Sequence, residues 1–127
     1  MSKHVAVILG GWSAEREVSL SSGRECAKAL REKGYDVTEI DATRDLAGQL
    51  TAIDPKPDVI FNALHGRWGE DGAVQGLLEI MNIPYTHSGV RASAIAMDKM
   101  SAKAMFAEYE IPCARHVWVT REDIASG

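Results

Sequence analysis

His4-Val5-Ala6-Val7-Ile8-Leu9-Gly10-Gly11-Trp12-Ser13-Ala14-Glu15-Arg16-Glu17-Val18-Ser19-Leu20 decides the fold of this 127-residue chain. An apolar run containing three β-branched residues ends in two glycines and passes into a helical pattern. Two glycines at a strand's C-terminal end give a tight turn and let a ligand approach the backbone closely. The carboxylate of Glu15 follows in the same loop, at the mouth of the strand, where open α/β sheets bind small molecules. The full G-x-G-x-x-G fingerprint is absent, which disfavours a dinucleotide in this loop.

Working outward, the helix is expected over about 18–33, with Ser22, Cys26, Ala29 and Leu30 at helical spacing and Gly34 as its stop. The alternation over 35–40 predicts a second strand near the sheet edge. A short helix is expected over 44–52, ended by Asp54-Pro55-Lys56-Pro57. Residues 58–64, Asp-Val-Ile-Phe-Asn-Ala-Leu, are nearly all apolar and predict a central third strand. It empties into a second glycine-rich loop, His65-Gly66-Arg67-Trp68-Gly69-Glu70-Asp71-Gly72. In the next helix Val74, Leu77, Leu78 and Met81 form a buried stripe, and a short strand is expected over 83–86.

This alternation predicts a Rossmann-like α/β domain over residues 1–97, a parallel sheet with helices on both faces. Residues 92–97 and 99–109 read as helices, 115–120 as a strand and 121–125 as a first helical turn. The segment 98–127 is therefore expected to open a second domain, cut short.

The composition is that of an ordinary globular protein, 46% hydrophobic and 25% charged, with a net charge of −4. Charges of both signs are interspersed, which argues against nucleic acid or an anionic membrane as the main partner. No apolar run approaches the ~18 residues of a spanning helix. Cys26 and Cys113 lack metal-like spacing and are expected to be reduced and buried, so a cytoplasmic location is expected.

Glu15 is the first candidate site residue. It suits a ligand's ammonium group, and equally a solvated loop or the start of a helix. His65, at a strand's end beside a glycine loop, suits either a structural role or hydrogen bonding to a carboxylate. Glu70 and Asp71 read as helix caps, Asp71 as the N-cap. Lys99, with Lys103 four residues on, suits a solvated helix face or phosphate oxygens. No metal ligand set is assigned.

Four ordered segments carry a resemblance. They are Gly10-Gly11 through Ser13-Ala14-Glu15-Arg16-Glu17-Val18-Ser19-Leu20; Leu64-His65-Gly66 with Gly69-Glu70-Asp71-Gly72; Ile83-Pro84-Tyr85-Thr86 with Ser88-Gly89-Val90; and Met97-Asp98-Lys99 with Lys103. Together they resemble the N-terminal part of the D-alanine–D-alanine ligases, of the ATP-grasp superfamily. The resemblance implies a pre-ATP-grasp domain followed by the truncated start of an ATP-grasp domain.

It also implies an enzyme: ATP phosphorylates one D-alanine, and the amine of a second attacks the acyl phosphate. The dipeptide enters peptidoglycan precursors, and hence cell wall and cell shape. ATP and Mg2+ are the implied cofactors, with the metal's ligands beyond Gly127, and a homodimer through the N-terminal domain is the implied assembly. On this resemblance Glu15 binds the first D-alanine's ammonium, His65 lies near its carboxylate and Lys99 reaches the ATP phosphates. His87 stands where the family usually has glycine, Trp68 replaces a commonly small residue, and Trp12 is bulky in a variable position of the first loop. The 127 residues alone are expected to be inactive. The alternative is a stand-alone amino-acid-binding module or a dimerisation fragment.

Overall fold

The computed structural model describes residues 2–127. Its sheet has three parallel strands in the order β2-β1-β3: β1 is His4–Leu9, β2 is Asp36–Asp41 and β3 is Val59–Asn62. Helix α1 (Arg16–Glu32) connects β1 to β2, and α2 (Leu46–Thr51) precedes β3. Then come α3 (Ala73–Ile80), α4 (Val90–Met97), α5 (Lys99–Glu108) and α6 (Arg121–Ser126).

Every residue of β1 is buried, so it lies at the sheet's centre. Its alternating side chains serve two cores. Ala6 and Ile8 pack with Leu46, Leu50, Leu64, Val74 and Leu78 on the α2–α3 side. Val5, Val7 and Leu9 pack with Ala27 and Ala63 on the α1 side. Helices on both faces of a parallel sheet follow directly from that period-2 alternation.

The apolar run around β3 predicts a central strand, but β3 pairs fully only with β1. Its outer side carries a single bridge, Ile60 to Tyr85. The Ile60 amide donates to the Pro84 carbonyl at 2.8 Å, and Thr86 N–H donates back to the Ile60 carbonyl at 3.0 Å. Pro84 has no N–H to extend the ladder, which reduces the expected strand over 83–86 to this bridge.

On α1 the fully buried residues are Ser19, Gly23 and Ala27 rather than Ser22, Cys26 and Ala29. A line of small residues at i, i+4 and i+8 lets this helix lie close to β1. The expected strand over 115–120 is absent. Val117 and Val119 are exposed, and among the described residues nothing pairs with this segment, so its backbone lacks the ladder a strand requires. Thr120 and Asp123 instead form a reciprocal capping box that starts α6. Cys113, expected to be buried, is exposed in the same irregular stretch. Among the described residues no helix is long and apolar enough to cross a membrane.

Candidate functional site

The loops after β1 and β3 meet beyond the carboxyl end of the sheet. Gly10 and Gly11 both adopt φ +74°, which turns the chain sharply off β1. Ser19, fully buried on α1, then ties the two loops together. Its hydroxyl accepts from the Gly10 amide at 2.9 Å and donates to the Ala63 carbonyl at 2.6 Å. Sequence reading gave Ser19 no such role; a serine on the helix face that must touch the sheet was the available signal.

Glu15 occupies the N-cap position of α1 but makes no side-chain cap hydrogen bond. Its carboxylate points instead across the gap to Gly66, where a Cβ would come within 2.9 Å of Oε2. Only glycine suits that place, because φ is also +71° there. Ser13 completes the crossing: its hydroxyl donates to the His65 carbonyl at 2.8 Å and accepts from the Glu15 amide at 3.1 Å.

The tautomer of neutral His65 follows from its neighbours. Ser22 has one hydroxyl proton, which it donates to the Val18 carbonyl at 2.9 Å. With the hydroxyl turned that way, its contact with His65 Nε2, also 2.9 Å, is one in which Nε2–H donates to the serine oxygen. In that form Nδ1 keeps its lone pair, and it lies 3.9 Å from Oε1 of Glu70. Ligand atoms of Glu15, His65 and Glu70 all fall within 4.8 Å of one another.

Glu70 was expected only to cap a helix. It accepts from the Gly66 amide at 2.6 Å and shapes the loop around His65 instead. The cap of α3 is Gly72, in the left-handed region at φ 95°. Asp71, one residue earlier, accepts from the amides of Ala73 and Trp68. Asn62 at the end of β3 holds the loop from below: its amide donates to the Gly69 carbonyl at 2.9 Å and its oxygen accepts from Leu64 N–H.

A cleft of about 470 Å³ opens beside this group, lined by His65, Glu70, Gln75, His87 and Met97 among others. Lys99 starts α5 two residues past Met97, exposed and outside the cleft lining. The structure thus brings Glu15 and His65 together, adds Glu70, and leaves Lys99 apart. His87 stands at φ 74°, a left-handed backbone uncommon for a residue with a side chain.

Arg16 anchors the first loop from outside, donating to the Gly11 carbonyl at 2.9 Å and making two 2.6 Å contacts with the Asp41 carboxylate. Those hydrogen bonds hold the Asp41 carboxyl below its ordinary range and raise the Arg16 guanidinium. A depressed carboxyl stabilises the fold fully above its unfolded pKa of about 3.9 and loses that contribution as pH falls through the lower folded value. Asp41→Asn should therefore lower the melting temperature at neutral pH, with the gap to the unsubstituted chain closing below about pH 4. Melting curves from pH 7 to 2 check this; a gap that persists unchanged at pH 2 contradicts it.

A parallel sheet with two glycine-turned loops meeting beyond its carboxyl edge has the architecture of an open α/β unit, whose ligands bind at that edge. A family profile described as the D-ala D-ala ligase N-terminus matches residues 47–88. The chain is 66% identical over 126 residues to a D-alanine–D-alanine ligase of Parvibaculum lavamentivorans, covering 99% of this chain and 40% of that protein. Against the Acidiphilium cryptum ligase it is 59% identical over 123 residues, covering 97% and 41%.

In structure it superposes on a D-alanine–D-alanine ligase from Aeromonas hydrophila with a TM-score of 0.84, at 26% identity, over 98% of this chain and 54% of that one. On the Bacillus anthracis ligase complexed with ATP the TM-score is 0.76 at 30% identity, over 99% and 43%. The chain is homologous to the N-terminal region of the D-alanine–D-alanine ligases. It spans about 40% of the length of the curated relatives it matches.

Proposed function

We propose that this chain supplies the first-substrate wall of an ATP-dependent ligase that joins two D-alanines through an acyl phosphate. The observation that carries the reading is the set of Glu15, His65 and Glu70, which each bring one ligand atom to within 4.8 Å of the others. A primary ammonium has three N–H donors and no acceptor, so it complements this set. Held by its amino end, a D-alanine leaves its carboxylate free to be phosphorylated, and the fixed orientation lowers the entropic cost of reaction.

Lys99 is assigned to the ATP phosphates on the sequence resemblance, with residues 1–97 as the substrate domain and 98–127 as the opening of the nucleotide-binding one. Pairing of two copies through residues 1–97 and a cytoplasmic site of action belong to the same reading. The Glu15–His65–Glu70 group does not suit Mg2+, a hard cation that takes oxygen ligands in octahedral array.

Two assays test the reading. The full-length protein that carries this chain should release phosphate from ATP in strict dependence on D-alanine and form the dipeptide. The 127-residue polypeptide alone, with ATP, Mg2+ and D-alanine, should release none above background. A full-length protein indifferent to D-alanine contradicts the assignment, and turnover by the short polypeptide contradicts the division of labour.

A further inference from the structure

Three loops at the sheet's carboxyl edge are joined by one aromatic–cation cluster. Trp12 lies in the loop after β1 and Trp68 in the loop after β3, with ring centroids 6.2 Å apart and planes tilted by 38°. Arg44, from the segment after β2, places its guanidinium 5.4 Å from the Trp12 ring centroid and 5.7 Å from that of Trp68. Arg67 lies over Trp68 at 4.4 Å. All three distances are within cation–π range. Trp12 also packs against the main core, so the cluster is rooted in the sheet.

Trp68 holds φ 76°, a left-handed conformation uncommon for a bulky residue. Such a conformation persists only where surrounding contacts over-determine it, and strain of this kind gathers at functional sites. The Trp68 backbone is held by the Asp71 carboxylate, which accepts from its amide at 3.0 Å, and by Val74 N–H, which donates to its carbonyl at 3.1 Å, while its ring is held by the tryptophan across the gap and the two arginines.

We propose that Trp12, Trp68 and Arg44 form a clamp that fixes the spacing between Glu15 and His65, and that Trp68 is a positioning residue for the substrate's amino group. Glu15 lies three residues after Trp12, and His65 three residues before Trp68. Between the two loops, the clamp adds to the Ser13–His65 hydrogen bond and the packing of Glu15 on Gly66. Binding groups must be held within about 0.5 Å of their working geometry, and loops reach that only when supporting contacts lock them. The inference rests on the reading of Glu15 and His65 as the ammonium-binding pair.

The test uses Trp68→Asn, which removes the ring but tolerates left-handed backbone, Arg44→Gln, and Trp68→Phe as the conservative variant. Amide hydrogen exchange is followed in the 127-residue chain, and KM and kcat in the full-length protein. Loss of the ring should speed exchange about tenfold at residues 11–15 and 65–70, with β1 unchanged, and raise KM for D-alanine about tenfold with kcat within about twofold. Arg44→Gln should move both in the same direction by about threefold, and Trp68→Phe should restore both.

Unchanged exchange in the Glu15 loop after loss of the Trp68 ring overturns the clamp. So does an unchanged KM in a full-length protein whose loops have loosened, or a fall in kcat alone. A full-length protein without D-alanine-dependent ligation overturns the assignment of the reaction instead, and the exchange data then decide the clamp on their own.

Discussion

Glu15→Gln is expected to lower kcat/KM for D-alanine in the full-length protein by about 10²–10³-fold, the scale of removing one partner from a desolvated charge pair. The amide keeps the size of the carboxylate but replaces half of its acceptor capacity with donors, which face the substrate ammonium's own N–H groups. The loss appears at the amino end of the substrate, so it should be far smaller for an analogue that lacks the ammonium. Stability should change by no more than about 0.5 kcal/mol, since the side chain is exposed and caps nothing. Steady-state kinetics with D-alanine checks this, and a loss of under about tenfold contradicts the role given to Glu15.

The second large effect is on the fold. Gly23 sits where α1 crosses β1, and a Cβ there would lie 2.5 Å from Leu9 Cβ and 3.3 Å from Ala63 Cβ. Neither atom is the free end of a flexible side chain, so the helix itself must move. Gly23→Val should destabilise the chain by about 2–3 kcal/mol, the upper part of the cost of overpacking a core. The gain from replacing a mid-helix glycine, up to about 1 kcal/mol, offsets only part of that. Because α1 starts beside Glu15 and carries Ser19 and Ser22, its displacement also disturbs both loops. Denaturant unfolding measures the change; a variant as stable as the original shows that α1 does not depend on this close approach.

Much of the fold was legible because the strands and helices follow their own periods. The alternation within Val5-Ala6-Val7-Ile8-Leu9 assigns residues to two opposite cores, and the Val74, Leu78 spacing gives the buried face of α3. Tertiary contacts decided what was misread. Apolar content made 58–64 look central, whereas the ladder beyond it stops at Pro84, a residue that cannot donate. The alternation Arg115-His116-Val117-Trp118-Val119-Thr120 looks like a strand, but a strand exists only with a partner. The face of α1 was set by small residues suited to a close helix–sheet approach, and hydrophobicity does not reveal those.

At the site, position at a strand's end identified Glu15 and His65. Glu70 was missed because four residues separate it from His65 in sequence, and the glycine-rich turn folds it back onto the Gly66 amide. The pairing of Trp12 with Trp68 depends on two loops more than fifty residues apart meeting over the sheet, which no local pattern shows.

The most direct test of the central claim is a titration of the isotopically labelled chain with D-alanine, followed by the backbone amide resonances, beside the same titration with D-lactate. D-lactate keeps the carboxylate and methyl group but carries a hydroxyl where the ammonium stands. The account predicts D-alanine-dependent shifts confined to residues around Glu15, His65, Gly66 and Glu70, weak in affinity and absent with D-lactate. Equal shifts with both compounds, or shifts elsewhere on the chain, would contradict an ammonium site built from these three side chains.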